Sequence, residues 1–172
     1  MEVFLIMRNK LLLIASIFIF SAFIMAGCGS DSKKEAAQGE TIEYQYIQAE
    51  DLKKDIDEGG DGYIILDVRK KEDYDSSHIK GAFSGDVDSI VSAEDKELAT
   101  NNLKAALKEA TGSEEGNKDS KYVLVCYSGK RYAQGATGIL SELGIPEGNI
   151  YTLEGGNKNW VELGDDYTSL ME

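Results

Sequence analysis

Cys126, Lys130 and Arg131 fall within one short stretch, Cys126-Tyr127-Ser128-Gly129-Lys130-Arg131. A thiolate is a nucleophile and a thiol is a poor one, so the question is whether the surroundings favour charge on the sulfur. Two features should. The cations Lys130 and Arg131 follow the cysteine closely. The loop also runs into a helical pattern, whose first N–H groups have no intrahelical acceptor and point back toward the cysteine. Ser128 and Gly129 allow the backbone to curl so that several N–H groups face inward as an anion nest. The product would be a cup for an anion with a sulfur nucleophile at its base. The competing reading is an inert core thiol at the end of an apolar strand, since free cysteine is among the most buried residue types. Such a thiol does not need a glycine and two cations immediately behind it.

The cup needs elements to hold it. Lys121–Val125 reads as a buried strand leading into Cys126, and Arg131–Leu143 as a helix closed by Gly144 and Pro146. Gly135 and Gly138 inside that helix cost about 1 kcal/mol each; either they allow tight packing on a sheet or they weaken the case for a helix there. Upstream, Tyr44–Ile47 reads as a short strand and Ala49–Ile56 as a helix with acids in its first turn. Tyr63–Val68 is an apolar run of the kind buried on both faces. Lys70–Ser76 suits one or two helical turns and Ala82-Phe83 a short strand. Ser92–Ala110 reads as one helix, opened by a capping box at Ser92-Ala93-Glu94-Asp95, with Leu98, Leu103, Ala106, Leu107 and Ala110 near helical spacing. Asn149–Leu153 is a last central strand and Lys158–Leu163 a final short helix carrying Trp160. Apolar strands alternating with helices predict an α/β fold, a central parallel sheet of about five short strands with helices on both faces. In such sheets ligands bind beyond the C-terminal ends of the strands, where both Cys126 and Asp67 are expected.

Four ordered segments resemble the rhodanese-like sulfurtransferases over about residues 42–165. Cys126-Tyr127-Ser128-Gly129-Lys130-Arg131 resembles the family's Cys-x-x-Gly-x-Arg loop before a helix. Leu66–Phe83 resembles its Asp-x-Arg … Glu-x-Tyr … Gly-His-Ile-x-Gly-Ala stretch. Leu140–Ile145 resembles its Leu-x-x-x-Gly element, and Leu153–Trp160 its Gly-Gly-x-x-x-Trp. Tyr132 stands where the family often has Ser, Ser77 where Gly is usual, and Ser84–Ser120 shows little of the pattern, as a variable pocket rim would.

The resemblance implies a rhodanese-like fold and ping-pong sulfur transfer through a Cys126 persulfide, with no separate cofactor. Thiosulfate or a similar sulfane donor would supply the sulfur, and a thiol or cyanide would accept it. Cys126 and Arg131 would be the catalytic pair, Arg131 as a fixed cation orienting loop or substrate. Tyr127, Ser128, Gly129 and Lys130 would form the anion-binding loop, with Lys130 turned into the mouth. Asp67 and Arg69 are open to two readings, a structural ion pair or a substrate contact. His78, the only histidine, reads either as a base or as a hydrogen-bonded structural residue. Trp160 is expected in the core, and Glu154–Gly156 beside the active loop. A non-catalytic binding or sulfur-carrier module of the same fold is the alternative. Phosphatase or arsenate reductase chemistry fits less well. The dual-specificity phosphatases of this fold carry Cys-x5-Arg, whereas only four residues separate Cys126 from Arg131.

The formal net charge of −13 leaves no basic stripe to neutralise phosphates, which argues against a nucleic-acid partner. A metal site has no second His and no paired Cys to join His78. A calcium loop over Asp55–Val68 fails at Gly59 and Val68, where ligands are needed.

Residues 1–27 read as a signal peptide, with Arg8 and Lys10 ahead of an apolar run. That run ends in Met25-Ala26-Gly27-Cys28, which resembles a bacterial lipobox; its first residue is more usually Leu. Cys28 would then be acylated, residues 28–41 would be a polar tether, and 42–172 the domain. The stretch before Met7 suits an n-region poorly, so Met7 is the expected start. An uncleaved anchor is the rival, since about 20 uncharged residues suffice to span. Either reading places the domain outside the cytoplasm, tethered to the cell membrane. Removal of Glu2, Arg8 and Lys10 with residues 1–27 takes the charge from −13 to −14. With Cys28 lipidated, Cys126 has no intramolecular partner, the arithmetic of a reactive thiol.

Overall fold

The computed structural model describes residues 43–172. The signal peptide, the Met7 start, Cys28 and the tether lie outside the described residues. Five strands form one parallel sheet: β1 (Gln45–Ile47), β2 (Ile64–Asp67), β3 (Phe83–Ser84), β4 (Tyr122–Val125) and β5 (Ile150–Leu153), in the order β1-β5-β4-β2-β3. The helices are α1 (Ala49–Glu58), α2 (Lys71–Ser76), α3 (Asp88–Ser92), α4 (Lys96–Thr111), α5 (Arg131–Glu142), α6 (Gly156–Glu162) and α7 (Asp165–Thr168). This is the expected α/β architecture.

The side-chain alternation of a strand, period two, divides the apolar residues into two cores. Leu66 of β2, Tyr122 and Leu124 of β4 and Ile150 of β5 face α3, α4 and α5. Ile65, Val123, Val125 and Leu153 face α1, α6 and α7, where Trp160 is fully buried. From β2 the chain proceeds to β3 on one side; from β4 it proceeds to β5 on the other. The β2/β4 boundary is therefore a topological switch point, where the loops after the two strands diverge and leave a crevice. The register aligns Asp67 with Val125, and the Val68 N–H donates to the Val125 carbonyl at 2.9 Å.

Four expectations need correction. Ser92–Ala110 is not one helix but the end of α3, a break, and α4. Ser92 caps nothing, since its hydroxyl donates back to the Asp88 carbonyl at 2.9 Å. Glu94 sits at φ 55°, and Asp95 becomes the cap, accepting the Leu98 N–H at 3.0 Å. The buried face of α4 is Ala99, Leu103, Ala106 and Leu107, leaving Leu98 half exposed at 50%. Leu98 lies one residue, about 100° of arc, off that stripe. The glycines of α5 are not required by packing. A β-carbon at Gly135 would make only ordinary contact, 3.6 Å from an Ile90 methyl, and one at Gly138 would meet nothing within 4 Å.

Candidate active site

Cys126 is the first residue past β4, and its side chain continues the face of Tyr122 and Leu124. The residue is buried, at 1% exposure. Its sulfur accepts two backbone N–H groups, from Gly129 at 3.1 Å and Lys130 at 3.3 Å. Helix α5 opens one residue later. Lys130 provides no side-chain cap, and Gln134 is the first residue of the helix whose N–H reaches a backbone carbonyl, that of Lys130 at 2.9 Å. The N–H groups of Arg131, Tyr132 and Ala133 thus have no backbone acceptor among the described residues. The sulfur lies at the positive end of this helix and accepts where a capping side chain would.

The turn after β5 braces the loop. Gly156, at φ 61°, lies so close that a β-carbon there would fall 2.3 Å from the Cys126 carbonyl oxygen and 2.7 Å from the amide nitrogens of Ser128 and Gly129. A β-carbon on Gly129, at φ 70°, would fall 2.8 Å from the Leu153 carbonyl. The N–H of Asn157 donates to the Cys126 carbonyl at 2.7 Å, and that of Lys158 to the Tyr127 carbonyl at 3.1 Å. Glu154–Gly156 therefore stands beside the loop, as expected. The flank of the loop opens on a cavity of about 510 Å³ lined by Tyr46, Ser128, Lys130, Glu154, Lys158 and Asn159, among others.

Asp67 and Arg69 are both buried, at 0% and 5% exposure. The Arg69 Nη2 donates to Asp67 at 2.6 Å and to the Ser77 carbonyl at 2.7 Å, while Nε donates to both carboxylate oxygens at 3.0 Å. The guanidinium is thereby occupied in tying the end of β2 to the end of α2. His78 stacks on Tyr74, centroids 3.8 Å apart, and its Nδ1 lies 2.9 Å from the Tyr74 carbonyl. Its Nε2 faces Glu172 at 3.7 Å. These partners belong to α2 and the C-terminus, not to the Cys126 loop. Lys130 and Arg131 are exposed, and neither side chain makes an ion pair or hydrogen bond among the described residues. Arg131, expected as a fixed cation, has no described partner that fixes it.

The other wall joins Tyr127 and Tyr132 to residues the sequence did not single out, Asp73, Asp88 and Lys70. The Tyr127 hydroxyl donates to Asp73 of α2 and accepts the Lys70 N–H at 3.3 Å. The Tyr132 hydroxyl donates to Asp88 of α3 at 2.5 Å. The two rings meet edge to face, 5.1 Å between centroids and 77° between planes. Lys70 Nζ stands 3.7 Å from Asp88. Burial, then the hydrogen bond to Asp73, pushes the Tyr127 hydroxyl up to about 12. Burial, then the bond to Asp88, also drives Tyr132 well above the ordinary tyrosine value. The same hydroxyl, as the largest influence, holds the Asp88 carboxyl below its usual range. Tyr132 was visible in the sequence only as a departure from the resembled pattern. Its partner lies 44 positions away and that of Tyr127 lies 54 away, beyond any local motif.

Among the described residues no group of three or more His, Cys, Asp or Glu is placed to hold a metal ion. No described helix is long and apolar enough to cross a membrane.

The sequence profile of the family described as "Rhodanese-like domain" matches residues 48–163. No curated protein matches the chain. Among solved structures, an uncharacterised protein from Saccharomyces cerevisiae is similar with a TM-score of 0.54 and 21% identity, over 72% of this chain and 95% of the other. The rhodanese-like domain of an Anabaena protein gives 0.53 and 20%, over 76% and 80%. The human single-domain sulfurtransferase TSTD1 gives 0.52 and 21%, over 72% and all of that chain. At these identities the structures establish the fold.

Proposed function

The chain belongs to the rhodanese-like domain family, and from that premise we propose that it is a sulfurtransferase working through a persulfide on Cys126. The observation that carries this reading is the pair of backbone N–H groups directed at the Cys126 sulfur from the start of α5. Such donors stabilise negative charge without reorganising during the reaction. The Cys126 thiolate attacks the outer sulfur of thiosulfate or a related sulfane donor. A sulfur–sulfur bond forms to Cys126, the bond within the donor breaks, and sulfite leaves with the electron pair. A thiolate or cyanide then attacks the outer sulfur of the persulfide and returns Cys126 as thiolate. No net oxidation of the enzyme occurs and no general base is needed for the first step. The unsatisfied N–H groups at the start of α5 are suited to hold the outer, anionic sulfur. Lys130 and Arg131 supply positive charge at the exposed rim of the loop. The family relationship and the sulfurtransferase named among the similar structures support the reading.

The test is a thiosulfate:cyanide assay on the full chain, with Cys126→Ser as control. Turnover in the wild type and its loss in the variant are expected. Equal rates would remove catalysis from this thiol. Mass spectrometry after thiosulfate should find a gain of about 32 Da on the peptide containing Cys126, one sulfur atom. The burial of Cys126 favours a second reading, a module that carries or binds without turnover; a persulfide without turnover would identify the carrier. We further propose that Cys28 is lipidated and holds the domain on the outer face of a bacterial cell membrane, which mass analysis of the mature N-terminus tests.

A further inference from the structure

Cys126 stands at the C-terminal end of a central strand, the place where this sheet type receives ligands, yet it is only 1% exposed. Tyr132 packs against the apolar cluster that contains Cys126, and Tyr127 is its chain neighbour. Neither tyrosine hydroxyl is bonded to the sulfur. Both turn outward to carboxylates on separate elements, Tyr127 to Asp73 on α2 and Tyr132 to Asp88 on α3. The rings meet edge to face with centroids 5.1 Å apart, which leaves no slot between them for a third ring. Asp86 ties the two carboxylate-bearing elements together, accepting the Asp88 N–H at 2.7 Å and the Lys71 N–H at 3.0 Å. Lys70 joins both latches, its N–H on the Tyr127 hydroxyl and its Nζ 3.7 Å from Asp88.

We propose that Tyr127 and Tyr132 form a carboxylate-latched aromatic gate that selects sulfur donors and acceptors by size, admitting slender sulfur species and holding back bulky thiols until the Tyr132–Asp88 latch opens. The proposal rests on Cys126 being the reacting thiol of the function above. Turning the Tyr132 ring aside breaks one hydrogen bond to a carboxylate, so the open form is rarer by about tenfold or more than in a protein without that bond. The substrates favoured are a small inorganic sulfane anion or the narrow tip of an alkyl persulfide. Bulky or aromatic thiols are disfavoured.

The experiment is alkylation of the full chain in non-ionic detergent, followed on the Cys126 peptide by mass spectrometry. A small reagent, iodoacetamide, is compared with a bulky one, a fluorescein maleimide. In Tyr132→Phe, which keeps the ring and loses the latch, the bulky-to-small rate ratio should rise about tenfold, and Asp88→Ala should match it. Combining the two should add nothing, because both remove the same bond. Tyr132→Ser, which removes the ring, should raise the ratio further. A ratio unchanged across these variants, or a double variant that simply adds, overturns the gate. Should a variant unfold, both reagents would accelerate together, and Asp73→Ala, which loosens Tyr127 alone, then decides by the same ratio. The outcome is separable from the function it rests on. Persulfide formation with an invariant ratio rejects the gate alone, whereas a responsive ratio without persulfide rejects the sulfur-transfer reading and the sulfur substrates assigned to the gate, leaving only the latched ring pair that controls access to Cys126.

Discussion

At the scale of single residues, the site depends on backbone approach more than on side-chain chemistry. Gly156 combines a φ of 61° with a neighbour, the Cys126 carbonyl, that a β-carbon would meet at 2.3 Å. Backbone atoms of the loop cannot move aside as the tip of a flexible side chain could. Gly156→Ala is therefore expected to cost about 3 kcal/mol or more, read as a lower urea midpoint, and to abolish persulfide formation by displacing the loop. A midpoint within error of the wild type would contradict the close approach. Asp67→Asn probes a different physics. It removes the counter-charge of a buried Arg69, and breaking a buried pair on one side costs about 3–5 kcal/mol. If Arg69 instead contacted substrate, the same change would raise KM and leave stability intact.

At the scale of elements, the segment between β3 and β4 carries the largest revision. The apolar spacing located the buried face of α4 through Leu103, Ala106 and Leu107, but the capping box at Ser92 started the helix too early. The turn at Glu94 and the acceptor geometry at Asp95 move the cap to Asp95. Asp95→Ala should lower stability by about 1 kcal/mol. Ser92→Ala and Leu98→Gln should each stay within about 0.5 kcal/mol, since one side chain caps nothing and the other is half exposed. Thermal unfolding of the three variants separates these values. The opposite order for Ser92 and Asp95 would restore one continuous helix. Helix α3, which the pattern merged into α4, matters because it delivers Asp88 to Tyr132.

At the scale of the whole molecule, the tyrosines set an alkaline limit. Burial raises Tyr74, Tyr122, Tyr127 and Tyr132 above their ordinary value, Tyr127 to about 12. A group whose neutral form the fold favours binds more protons folded than unfolded between its two pKa values. Stability is then fully present below about pH 10 and falls as pH rises toward 12 and beyond. Tyrosinate absorbance of the folded protein should accordingly lag at about pH 11, then jump on unfolding. Smooth titration of all nine tyrosines near the ordinary value would show that these rings are solvated. On the acid side, Asp88 lies below its usual range, so its contribution is present above about pH 4 and fades as pH falls further.

The order of the five strands, the parallel sheet and the Cys126 loop were legible in the sequence, because each depends on short-range pattern, whereas α3 and α7 were not. Apolar runs of four residues, a glycine in the loop and a helix start beside a cysteine are local signals. Asp67 at a strand end and Trp160 in the core followed from the same pattern, whereas Asp67–Arg69 and His78 each kept two readings until their partners were in view. The tertiary structure alone decided what surrounds the sulfur. It buried Cys126 and joined Tyr127 to Asp73 and Tyr132 to Asp88 across more than forty residues of chain. Such pairs leave no period in the sequence, since their energy comes from burial and from hydrogen bonds that exist only once distant elements have packed.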